Sequence, residues 1–157
     1  MLLYVVLTLA VTSVMSIKHA AWTHGLGVEV ETPSWKALRQ GFYTTVTPSN
    51  GSTFGWVHFV IPTPVIVNDT RLRAGSAMIR FTTGPGARIT NFHVYDGEKK
   101  IANYNGLSLA GNLQFVRREV PNRPLVLWGT AISLGVRFSG TGPNRFVRFI
   151  SGGIDFF

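Results

Sequence analysis

The stretch NFHVYDGEKKIANYNG, residues 91–106, gathers His93, Tyr95, Asp96, Lys99, Lys100 and Tyr104. An imidazole, a phenol and a carboxylate this close in sequence are the materials of general acid–base chemistry. Their spacing divides them. Side chains on an extended strand alternate faces, so Phe92 and Val94 point one way, His93 and Tyr95 the other. Asp96–Gly97 is turn chemistry, because Asp hydrogen-bonds the local backbone and Gly tolerates positive φ. The stretch therefore reads as a β-hairpin with a Gly97–Glu98 loop and Val94 opposite Ile101. His93, Tyr95, Lys99, Lys100 and Tyr104 make a candidate contact surface, for a neighbouring subunit or a sugar, rather than a catalytic centre.

Other chemistries are poorly provided for. The absence of cysteine excludes disulfides, thiolate nucleophiles and zinc–thiolate sites. His19, His24, His58 and His93 form neither His-Glu-x-x-His nor His-x-His, so no metal is expected. His58, between Trp56 and Val60, reads as a packed histidine with one satisfied ring nitrogen. GLSLA (106–110) lacks the final glycine and the helix of a serine nucleophile elbow. GPGAR (84–88) lacks the lysine and helix of a phosphate loop. The seven acids are scattered along the chain. No catalytic residue or cofactor is assigned, and a non-enzymatic protein is expected. A hydrolase of cell-surface polymers would require a cleft where a histidine meets a carboxylate.

The formal net charge of +8 favours anionic partners or simply keeps a weakly charged chain in solution. RFVRF (145–149) combines arginine with aromatics. Recognition-motif, zinc-finger and helix-turn-helix patterns are nevertheless absent, so nucleic acid is a disfavoured partner. Trp22, Trp35, Tyr43, Tyr95 and Tyr104 are candidates for stacking on sugar rings.

These residues must be positioned by strands. Seventeen glycines and eight prolines interrupt a β-branched, aromatic-rich chain with only 14% charged residues. Val28 and Val30 alternate with Glu29 and Glu31. FGWVHFVIP (54–62) is apolar on both faces and expected deep in the fold. SWKALRQG (34–41) is the only helical turn expected, capped by Gly41. About eight to ten short strands imply an all-β fold, a jelly-roll-like β-sandwich, with a barrel as alternative.

The 157 residues divide into a leader, 1–16, and one domain, 17–157. The leader MLLYVVLTLAVTSVMS is apolar and uncharged. Sixteen helical residues reach only about 24 Å, short of a stable bilayer span. It reads as an export signal, a start placed too early with Met15 as the true one, or a retained assembly arm. In the last case Leu3, Tyr4, Val5, Val6, Leu7 and Leu9 would add a strand to a neighbour. An export signal implies a secreted or cell-surface protein, a start at Met15 a cytoplasmic one. Asn50 and Asn68 begin two glycosylation sequons in expected loops.

IKHAAWTHG (17–25), FVIPTPVIVNDTRLR (59–73), FHVYDGEKKIANYNGLSLAG (92–111) and FISGGIDFF (149–157) together resemble a family of small, mostly bacterial single-domain proteins of unknown function. The resemblance, over residues 17–157, implies a stand-alone β-rich domain and supplies no catalytic residues. It also implies a start methionine close to the IKHAAW-like segment, from which the leader departs. The leading expectation is a protein acting by association, self-assembling as a homo-oligomer or filament in a surface or extracellular structure. The alternative is a lectin-like module binding an anionic or neutral glycan.

Overall fold

Period-two alternation builds the structure, a computed structural model in which residues 16–49 and 53–157 are described. The proposed arm, Leu3 to Leu9, and the Asn50 sequon lie outside the described residues. In β5 (Phe54–Ile61), Gly55, Val57, Phe59 and Ile61 are buried while Phe54, Trp56, His58 and Val60 face outward. This corrects the expectation of a strand buried on both sides: Val60 is 64% exposed.

The six-stranded sheet runs β11 (Gln114–Glu119), β8 (Ala74–Thr83), β13 (Val147–Phe156), β4 (Tyr43–Thr47), β3 (Lys36–Gln40), with β1 (His19–His24) also paired to β13. The five-stranded sheet runs β10 (Lys99–Tyr104), β9 (Ala87–Asp96), β12 (Thr130–Phe138), β5, β2 (Val28–Val30). A small hairpin joins β6 (Ile66–Val67) to β7 (Thr70–Arg71), with the Asn68 sequon in its turn. All these pairings are antiparallel. The chain crosses repeatedly between the two sheets, as from β4 to β5, β8 to β9, β10 to β11, β11 to β12 and β12 to β13, giving an open β-sandwich and not a closed barrel. No helix among the described residues is long and apolar enough to cross a membrane.

The inner faces meet in a phenylalanine-rich core of Phe59, Phe81, Phe92, Phe138, Phe149 and Phe156. Phe59 of one sheet meets Phe149 of the other edge to face, ring centres 5.8 Å apart. Burial of each such ring stabilises the fold by about 2–3 kcal/mol. Gly152 makes this packing possible, since a Cβ there would stand 2.8 Å from the Phe59 ring.

Two local expectations need correction. Residues 36–40 form β3, not a helix: KALRQ pairs with β4 through a tight Gly41–Phe42 turn, and the ladder outweighs its helical propensity. The hairpin of β9 and β10 does turn at Gly97–Glu98, with Gly97 at φ +55°, but Val94 faces Ala102. A bulge between Lys100 and Ala102 takes up Ile101.

Candidate functional site

The outer face of the five-stranded sheet is shaped by its central strand. There β12 presents Ala131, Ser133 and Gly135, all small. Larger side chains flank each of them in register. Ala131 lies between Val60 and Tyr95, Ser133 between His58 and His93, and Gly135 between Trp56 and Asn91. Short residues along the middle and tall ones on both sides leave a trough over β12. It encloses a volume of about 590 Å³ and extends to Glu31, Gly97, Glu98 and Lys100.

Aromatic rings stand on both sides of β12, Trp56 on β5 and His93 and Tyr95 on β9. Trp56 and His93 have ring centres 5.0 Å apart, His93 and Tyr95 6.4 Å. The Lys100 ammonium lies 5.6 Å from the centre of the Tyr95 ring. Directional polar groups complete the trough. Glu31 Oε2 is 2.9 Å from His58 Nε2, and His58 Nδ1 is 2.9 Å from Ser133 Oγ. A carboxylate only accepts, so Nε2 carries the proton. Asn105 Oδ1 accepts from Asn91 Nδ2 and is 2.7 Å from His93 Nε2. Its amide donates to Asn103 at 3.1 Å. His58 thus has both ring nitrogens partnered and is half-buried, where one satisfied nitrogen in a packed setting was expected.

The histidine–carboxylate meeting that a hydrolase requires is present. The chain of contacts from Glu31 through His58 to Ser133 has the residue types of a catalytic triad. Ser133, however, sits in the middle of a strand paired on both sides and is only 7% exposed. Backbone N–H groups committed to two ladders cannot form an oxyanion hole beside it. No group of three or more potential metal ligands occurs among the described residues.

Of the candidate contact residues, His93, Tyr95 and Lys100 line the trough together. Lys99 is exposed at the hairpin tip opposite Asp96. Tyr104 pairs with buried Phe92, packs against the core and donates its hydroxyl to Glu119 O at 2.7 Å. Of the proposed sugar-stacking aromatics, only Tyr95 lies in the trough. Trp35 is buried against Phe138, and Trp22 and Tyr43 belong to the other sheet. Trp56, Glu31 and Ser133 are not singled out as site residues by the sequence, which reads His58 only as a packed histidine. The available signal was the small residues at period two in TAISLGVRF.

Trp128 was also missed. At 73% exposure it is the most exposed large apolar side chain among the described residues. Its backbone is nonetheless fixed. The Asp96 carboxylate, 4% exposed, accepts from the N–H groups of Leu127, Trp128 and Gly129 at 2.8, 2.9 and 3.0 Å. Asp96 is therefore a clamp on a distant segment and not the local turn residue expected. Burial by itself raises its carboxyl, but the hydrogen bonds from Gly129, Trp128 and Leu127 and the charge of Arg71 outweigh it. Together they hold the group below its ordinary range. The Trp128 side chain packs over Gly97, at the end of the trough: a Cβ there would stand 3.0 Å from Trp128 Cδ1.

The model of a family of unknown function, DUF6623, matches residues 16–156. No curated protein matches the chain by sequence. Among solved structures, the chain is similar to CBM86, a low affinity xylan binding module from Roseburia intestinalis. That likeness has a TM-score of 0.54 at 12% identity, covering 88% of this chain and 96% of that one. It is also similar to CBM29_1, a family 29 carbohydrate binding module from Piromyces equi, with a TM-score of 0.47 at 11% identity over 85% of this chain and 90% of that one. At these identities the likeness to the first is one of fold, and the second adds nothing further.

Proposed function

We propose that the chain, which belongs to the DUF6623 family of unknown function, is a non-catalytic glycan-binding module whose ligand lies in the trough over β12. The carrying observation is the trough itself. It sets the rings of Trp56, His93 and Tyr95 beside the fixed polar groups of His58, Ser133 and Asn105. A sugar ring needs both: its C–H face packs on an aromatic face, and its hydroxyls need directional donors and acceptors. From Gly135, level with Trp56, to Ala131, level with Tyr95, the trough runs four residues along β12, about 13 Å, and the Gly97–Glu98 turn extends it. That length suits an oligosaccharide, with Trp128 as a terminal platform. The Roseburia intestinalis module, similar in fold, is a low affinity xylan binding module, which supports a polysaccharide ligand here. Self-association is expected from the strand-rich, weakly charged chain and its apolar ends, of which the leader lies outside the described residues, and the trough speaks for the glycan reading.

The test is affinity electrophoresis on gels carrying xylan, β-glucan or galactan. Retardation of the wild type on at least one gel is expected. Trp56→Ala and Tyr95→Ala should each lose roughly ten-fold or more in affinity, in keeping with central aromatic anchors. A wild type that migrates freely through every polysaccharide overturns the proposal. A second reading, hydrolysis at Ser133, is favoured by the Glu31–His58–Ser133 chain. Release of reducing sugar or ester product that disappears in Ser133→Ala would establish it, while binding without turnover supports the module.

A further inference from the structure

The opposite sheet carries a second, smaller pocket of about 160 Å³. It is too small for a sugar chain, since ligand pockets usually exceed about 300 Å³, but has room for one small group. Its feature is an arginine fixed by aromatic rings. The Arg148 guanidinium carbon lies 5.2 Å from the centre of the Tyr43 ring and 4.7 Å from that of Phe146. Stacking holds the guanidinium plane while leaving its edge N–H groups free to donate. No ion pair or hydrogen bond of Arg148 occurs among the described residues, although its side chain is ordered by two rings.

The surroundings suit an anion. The Gly41–Phe42 turn lifts Phe42 to 59% exposure at the pocket's edge, 4.8 Å from Tyr43 and perpendicular to it. Thr82, opposite Arg148 across the sheet, donates to Asn112 Oδ1 at 3.2 Å, which leaves the Asn112 amide N–H groups as further donors. No acidic residue lines the pocket. Arg80, on the same face of β8 as Thr82, is exposed and forms no ion pair among the described residues. The acids of this sheet lie at its other end: Asp155, seven residues along β13 from Arg148, is bound to Arg117 at 2.6 Å, and Glu119 pairs opposite Ser76.

The geometry points to a second binding site, centred on Arg148, for the anionic group of an acidic saccharide. The group is a uronate carboxylate or a sulfate ester, held by bidentate guanidinium bonds with the ring resting on Phe42. The site stands independently of the trough and answers the excess of positive charge that the trough, with Glu31 and Glu98 in its lining, does not.

The experiment is calorimetric titration with oligogalacturonate, sulfated dextran, a neutral xylo-oligosaccharide and a single-stranded oligonucleotide. Binding of an acidic saccharide is expected, weakened by added salt and by roughly ten-fold or more in Arg148→Ala. Trp56→Ala should leave it unchanged, which separates its failure from failure of the trough. The carboxylate and sulfate probes distinguish the two sources of charge. Arg148→Lys keeps the charge but not the planar fork. If Arg148→Ala unfolds in a thermal melt, Arg148→Lys serves in its place and should still weaken binding. Acidic-saccharide binding untouched by both variants, absent from the wild type, or exceeded by Arg148-dependent binding of the oligonucleotide overturns the assignment.

Discussion

At the residue scale, Asp96 shows how local chemistry misleads. Asp–Gly before a lysine pair reads as a turn, and the turn is real, but the side chain works elsewhere. Its three N–H partners lie more than thirty positions away, a relation no local window contains. Asp96→Ala would leave these donors without their acceptor and should cost about 2–4 kcal/mol, measured by urea unfolding. Asp96→Asn should cost less. The pH dependence follows from the depressed carboxyl. The carboxylate's contribution is fully present above the unfolded-state value, near 3.9, and is lost as pH falls through the lower folded value. The melting temperature of the wild type should therefore drop below about pH 4, and Asp96→Asn should flatten that limb. Trp128→Ala should weaken glycan binding without shifting the melt, because its indole contributes little buried area. An equal loss of stability in Trp128→Ala would assign it a packing role instead.

At the element scale, alternation made most strands legible, because one buried face imposes period two whatever the topology. It did not reveal which outward face would be covered. In β5, Trp56, His58 and Val60 alternate with the core residues in a largely apolar strand, yet all three face outward and Trp56 and His58 line the trough. The reason lies on another strand: Ala131, Ser133 and Gly135 are too small to cover them. KALRQ failed for a related cause, since pairing with β4 and the Gly41 turn decide its state. The trough thus depends on β12 staying small. Ala131→Phe should fill it, abolish retardation on the polysaccharide gel and change stability by less than about 1 kcal/mol, because the added ring faces outward. Retained binding in a folded Ala131→Phe would remove β12 from the site.

At the scale of the whole molecule, two open faces share one core. The trough lies over one sheet and the Arg148 pocket over the other, while Phe59, Phe149 and Gly152 join the sheets between them. The fold class followed from composition, but this division of labour did not, because strand order brings β13 beneath β5 only in three dimensions. Sites on opposite faces with no shared side chain should act additively. In Trp56→Ala/Arg148→Ala, the losses for neutral and acidic saccharide should equal those of the single variants. Gly152→Val should behave differently. Its branched side chain would collide with the Phe59 ring, and overpacking of this kind costs about 1–3 kcal/mol. Since the ring belongs to the strand bearing Trp56 and the glycine to the strand bearing Arg148, Gly152→Val should lower the melting temperature and weaken both ligands together. Loss of one ligand alone in Gly152→Val, with the melt unchanged, would show that the core does not couple the two faces.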